Sequence, residues 1–151
     1  EKGLYGFFIV DPVGGLPPVD HEFIMMMNAF DTDFDGENEV YAVNTVPFAY
    51  MNDPIQVNVG ERIRIHLANM VENDPINSIH THATFFKYYR TGTRLDQYEY
   101  TDTVMLCQGE RCILEFTYTH PGRFMFHAHQ SEFAELGWMG MFDVRPRAQK
   151  A

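Results

Sequence analysis

Two short motifs, His80-Thr81-His82 and His127-Ala128-His129, constrain this chain more than any other feature. An extended strand sends the side chains at i and i+2 from the same face. Each motif therefore aims two imidazoles at one point, provided that its segment is a strand. Both lie in runs rich in aromatic residues, and both segments read as strands joined by a hairpin. Four of the seven histidines belong to these pairs. Imidazole is the commonest side-chain ligand for transition metals. A metal site across neighbouring strands is the first expectation. One His-x-His alone would more often be surface or packed histidine; two of them make a site.

The rest of the chain supports strands. Residues 22–30, 40–46, 55–59, 62–68, 79–89, 101–106, 113–118, 123–129 and 139–144 are short apolar or alternating runs, separated by Asn, Asp, Gly and Pro. Such spacing is typical of an all-β sandwich or barrel. Only residues 131–136 are compatible with a helix, of a single turn. Asp31-Thr32-Asp33-Phe34-Asp35-Gly36 opens like a calcium loop. However, position twelve is Ala42 and no helices flank it, so a polar hairpin loop is expected.

Composition excludes several roles. A chain of 151 residues is one ordinary domain, and 45% apolar content makes it globular. The formal net charge of -10 speaks against nucleic acid as a partner, since phosphate binding needs clustered Lys and Arg. No apolar run approaches the length of a membrane span, and no signal peptide is visible. The first residue is Glu1 and not Met, which suggests a processed chain or a fragment. Cys107 and Cys112 flank a stretch that reads as a hairpin turn. A disulfide there would favour an extracytoplasmic setting, and two free thiols are the other reading.

One internal repeat stands out. Residues 3–12 and 137–146 share the pattern G-x-x-G-x-F-x-V-x-P, with Gly6, Phe8 and Val10 matching Gly140, Phe142 and Val144. Self-similarity of this kind points to a repeated structural unit. Residues 1–12 are read as the closing strand of a preceding domain, 13–20 as a linker and 21–151 as the domain proper. Two unrelated Gly-rich edge strands would give the same pattern.

From Asn77 onward the chain resembles the last domain of the multicopper oxidases, a cupredoxin Greek-key β-sandwich. The resemblance is carried by Asn77-Ser78-Ile79-His80-Thr81-His82, Thr101-Asp102-Thr103-Val104, Pro121-Gly122 and His127-Ala128-His129 continuing to Gly137-Trp138. It extends over roughly residues 38–146. It implies copper as the cofactor, with His80 a ligand of a type 2 copper and His82, His127 and His129 ligands of type 3 coppers. These four are half of a trinuclear cluster. The others would come from a partner cupredoxin domain bearing a type 1 copper, in two-domain members from the neighbouring subunit of a homotrimer. The implied reaction is reduction of O2, in a periplasmic or extracellular location.

The departures from the family pattern also inform. The four positions that hold a type 1 copper fall on Asn77, Ala128, Phe133 and Trp138, none of which supplies an imidazole or thiolate. Ala128 also replaces the cysteine that in the family sits between the last two histidines and carries electrons to the cluster. The isolated domain is therefore expected to be inactive. The opening run through Asp20 is similar to the segment between the two domains of copper nitrite reductases, whose C-terminal domain lends one histidine to a mononuclear type 2 copper; paired motifs favour the oxidase. A stand-alone copper-binding or storage module, and a domain with a vestigial site, are the remaining readings. Asp102 is a candidate to relay protons or support a ligand, or a plain strand-end cap. Glu132 and Glu135 read as solvated surface. Met25, Met26 and Met27 read as core, and His21, His66 and His120 as residues outside the site.

Overall fold

The computed structural model describes residues 4–147. Strands β1 (His21–Phe30) and β2 (Val40–Val43) form a hairpin around the acidic loop. The one-turn helix α1 (Ala49–Asn52) leads to β3 (Ile55–Asn58) and β4 (Arg62–Asn69). Then come β5 (Ile76–Thr81), β6 (Phe86–Arg90), β7 (Glu99–Thr101), β8 (Thr103–Cys107), β9 (Arg111–Thr117) and β10 (Gly122–His127). Helix α2 (Ser131–Glu135) and β11 (Met139–Arg145) complete the chain. A six-stranded sheet runs β2-β1-β4-β9-β6-β7, and a five-stranded sheet runs β3-β11-β10-β5-β8. Pairs β1·β4 and β11·β3 are parallel and the others antiparallel, with the crossovers of a Greek key. The all-β sandwich expected from the strand spacing is the observed architecture.

The core lies between the two sheets. Ile63, Ile65 and Leu67 of β4 and Leu114 and Phe116 of β9 face Ile79, Phe126 and Phe142 of the other sheet. Burying each such side chain contributes about 1.5–3 kcal/mol. Met25 and Met27 belong to the core, and Met26, which alternation turns to the other face of β1, is buried as well. The loop between β1 and β2 spends its carboxylates on its own backbone. Asp31 accepts from the N–H groups of Phe34 and Gly36, Asp35 from Glu37, and Glu39 from Thr32.

Several sequence expectations change: residues 49–52 form a helical turn where none was expected, and the run 101–106 divides between β7 and β8, which lie in different sheets. The run 79–89 is two strands, β5 and β6, in different sheets. The chain crosses between sheets at residues 82–85, where Ala83 takes a left-handed conformation with φ 60°. No Gly or Pro marks this crossing, so the aromatic alternation reads straight through it. Strands β5 and β10 do pair, but four strands separate them in sequence and no hairpin joins them. Finally, Cys107 and Cys112 are unbonded, one exposed and one buried. Strand β8 belongs to one sheet and β9 to the other, so residues 108–110 make an inter-sheet corner and not a hairpin. Burial pushes the Cys112 thiol well above its ordinary range.

Residues 4–20 add no strand to either sheet. Phe8 and Val10 are exposed, whereas their counterparts Phe142 and Val144 are core. Gly3, the first residue of the repeat, and the two residues before it lie outside the described residues. The end of this arm is held at β4. Asp20 N–H donates to the Arg62 carbonyl, and Arg62 N–H to the Asp20 carboxylate at 2.7 Å. Buried Arg64 donates to the Pro17 carbonyl at 2.6 Å and reaches Glu115 and Glu22.

Candidate metal centre

The centre is built where β5 and β10 pair. His127 stands directly opposite His80, and Phe126 opposite Thr81. Alternation sends Ile79, Thr81 and Phe126 into the core and turns His80 and His127 to the outer face of the five-stranded sheet. His82 follows the end of β5 and keeps that outward direction, with its N–H bonded to the Met125 carbonyl at 2.9 Å. Its Nε2 lies 3.1 Å from Nε2 of His127. One ligand nitrogen from each of His80, His82 and His127 lies within 4.8 Å of the others, and among the described residues no other cysteine, carboxylate or imidazole joins the three.

His129 lies just past the end of β10, where the strand expectation for residues 123–129 overran. Its ring is 5.3 Å from that of His80 and 6.0 Å from that of His127, beside the three rather than among them. Ser78 holds this segment: its hydroxyl accepts from the His129 N–H at 2.7 Å and donates to the Gln130 side-chain oxygen. All four expected histidines are thus gathered on one face. His21, His66 and His120 are not among them; His21 and His66 are taken up by Glu61 and Glu22, at 2.7 and 2.8 Å.

Hydrogen bonds orient the rings. His80 Nδ1 lies 2.8 Å from the Thr103 hydroxyl and 3.1 Å from the Asp102 carbonyl. The Thr103 hydroxyl in turn donates to Asp102 Oδ1 at 3.0 Å. With Nδ1–H donating to oxygen, His80 presents an unprotonated Nε2, the form that binds metal. His127 Nδ1 donates to the Ala128 carbonyl at 2.6 Å, which frees its Nε2 in the same way. His82 is then the donor in the 3.1 Å contact until a metal replaces that proton. Burial, with neighbouring imidazoles adding to it, holds the pKa of His82 below the ordinary value. Burial does the same for His127, against the bond to Ala128.

This donor set fits a copper ion. Two nitrogens each about 2 Å from a shared ion lie about 3 Å apart, close to the 3.1 Å found. Neutral imidazoles with fixed tautomers are ligands suited to copper. Asp102 sits at the bend between β7 and β8, half in solvent, in a cleft it lines with His80, His82, Phe85 and Tyr100. Elsewhere, Asn77, Ala128, Phe133 and Trp138 are all buried, and Phe133 stacks on Tyr41 at 4.0 Å. Sequence reasoning missed Thr103 and Ser78, whose roles depend on strand pairings that no local pattern announces.

Comparison with known proteins agrees with this geometry. The sequence model of the multicopper oxidase family matches residues 17–148. A crystal structure of a multicopper oxidase superposes with a TM-score of 0.89 at 55% identity, covering 91% of this chain and 48% of that one. A copper-containing nitrite reductase from Thermus scotoductus SA-01 shares the fold, with a TM-score of 0.77 at 18% identity over 88% of this chain and 32% of that one. A probable nitrite reductase-hydroxylamine oxidoreductase fusion protein of Kuenenia stuttgartiensis is 29% identical over 95% of this chain and 17% of its own length. Human hephaestin is 24% identical over 93% of this chain and 14% of its own length. The chain thus spans less than a fifth of these curated relatives. Copper is the cofactor this membership implies, and the histidine cluster accords with it. With a family model covering most of its length and the cupredoxin sandwich in place, the chain belongs to the multicopper oxidase family.

Proposed function

We propose that this domain supplies half of the histidine ligands of a type 2/type 3 trinuclear copper cluster in a larger oxidase. His80 would hold the type 2 copper, His82 and His127 one type 3 copper, and His129 the other. A partner cupredoxin domain, bearing the type 1 copper, would supply the remaining four histidines across an interface in a homotrimer. The observation that carries this reading is that the imidazoles converge on the outer face of a sheet and not inside the sandwich. A site on an outer face is completed by whatever is pressed against it.

Copper held there supplies one-electron redox chemistry, four electrons and four protons in all converting dioxygen to two waters. The chain's own part is to orient and to move protons. Asp102, half in solvent, lines the cleft beside His80 and His82, where its carboxylate can carry protons, while the Thr103 hydroxyl that it accepts from holds His80 Nδ1 in place. Ala128, buried between the last two histidines, offers no thiolate to carry electrons. Electrons would enter from the partner domain, which leaves the isolated domain without turnover. A nitrite-reductase-like mononuclear site would take one histidine from this domain and leave the rest of the two His-x-His pairs unused.

Among the described residues, no helix is long and apolar enough to cross a membrane. With the cysteines unbonded, a periplasmic or extracellular location rests on the copper chemistry alone. Metal analysis combined with native mass of the purified oxidase tests the reading. A trimer with about three coppers per domain interface, lost in His82→Ala and His127→Ala variants, is expected. A monomer that binds copper tightly without consuming oxygen would identify a storage module instead.

A further inference from the structure

Four of the nine methionines stand on the same outer face as the histidines. In β10, Phe126 is buried while Met125 and His127 point outward. In β11, Gly140, Phe142 and Val144 are buried, which turns Met139 and Met141 outward, both half-buried. Register joins them: Met139 stands opposite His127, and Met141 opposite Met125. On the far side β8 places the exposed Met105 opposite Ser78, one diagonal step from His80.

The outward residues of the same two strands change character along the ladder. Away from the histidines the row is Arg123 opposite Asp143. Beside them it becomes Met125 opposite Met141, then His127 opposite Met139. Methionine often serves as a gap filler in cores, but these are outer-face positions that turn from charged to thioether only next to the imidazoles. Directly opposed side chains have Cβ atoms about 4.5–5.5 Å apart, and diagonal neighbours about 7–8 Å. A flexible methionine side chain spans such gaps. Thioether sulfur is a soft donor that selects Cu(I) over harder divalent ions, whereas imidazole takes both copper oxidation states.

We propose that Met125, Met139 and Met141, with His127, form a site for a cuprous ion at the edge of the histidine cluster, from which copper passes to the imidazoles. The transfer is ligand exchange. Copper–thioether bonds break as copper–imidazole bonds form, and no electron moves. The hand-over step rests on the histidines being the copper site; the thioether site needs only His127 from among them.

The test is an anaerobic titration of the chain with Cu(I) against the chromophoric chelator bicinchoninate, beside a Cu(II) titration. The variants are Met125→Leu/Met141→Leu, its two single substitutions, and His80→Ala/His82→Ala. Leucine nearly conserves volume, so the fold is kept, and circular dichroism checks it. The double methionine variant is expected to weaken Cu(I) binding about tenfold or more and to leave Cu(II) binding within about twofold. Sulfur neighbours in the copper X-ray absorption spectrum of the Cu(I) form should be present in the parent chain and reduced in each single variant. Unchanged Cu(I) affinity in the variants, or a Cu(I) spectrum of nitrogen neighbours only, would overturn the site. Undiminished Cu(II) binding in His80→Ala/His82→Ala would instead overturn the histidine reading and leave the thioether result standing.

Discussion

Thr103 decides how His80 is presented. Its hydroxyl lies between His80 Nδ1 and the Asp102 carboxylate, at 2.8 and 3.0 Å. Thr103→Val keeps the shape and removes that partner, so copper affinity at the site should fall about 10–100-fold, as measured by competition titration. Thr103→Ser should restore most of it. Proton NMR of the metal-free chain supplies a second check: His82 and His127 should titrate below an ordinary imidazole, because burial disfavours their charged forms. Their depressed pKa values mean that the metal-free fold is favoured above the ordinary value near 6.5 and loses that contribution as the pH falls through it. The four histidines were legible in the sequence because i, i+2 spacing is a local property. Thr103 and Ser78 were not, since each meets its histidine only through the pairing of β5 with β8 or its packing beside β10.

Among the elements, the turn between β3 and β4 and the arm clasp carry separable charges. Glu61 accepts from Asn58 through both N–H and side-chain amide and lies 2.7 Å from His21 Nε2. These bonds bring its pKa from 4.5 to about 2. A depressed carboxylate stabilises the fold above its unfolded value and loses that contribution as pH falls. Denaturation followed from pH 5 downward should show stability declining toward about pH 2, and Glu61→Gln should flatten that part of the curve. At the clasp, Arg64 is 2% exposed and lies 2.6 Å from Glu115. Removing the guanidinium in Arg64→Met leaves Glu115 without its partner, at a cost of about 3–5 kcal/mol by urea unfolding. It should also free the arm at Pro17 for proteolysis. Element existence was well marked by strand patterns. Boundaries failed at residues 82–85, because a crossing made with Ala83 in place of glycine carries no turn residue, and at residues 108–110, because a corner between sheets is written with the same residues as a hairpin.

At the scale of the whole molecule, a sandwich with a buried core carries its histidine cluster on an outer sheet face. It also holds an arm whose Phe8 and Val10 are exposed although they match core residues of β11. Both features accord with the proposed place in a larger oxidase, and the chain spans 48% of the multicopper oxidase it superposes on. The fold class followed from spacing and punctuation alone, and the repeat at residues 3–12 is what marks the arm as a candidate closing strand of another domain. We expect residues 4–12 to pair as the closing strand of a preceding sandwich, and hydrogen exchange in the intact oxidase should find their amides protected. The measurement that bears most directly on the shared cluster is anomalous diffraction at the copper edge from crystals of the intact, copper-loaded oxidase. The account predicts three copper peaks between the outer face carrying His80, His82, His127 and His129 and the surface of a second domain. A copper held by His80, His82, His127 and His129 with no ligand from a second domain, or no peak beside these histidines, would contradict it.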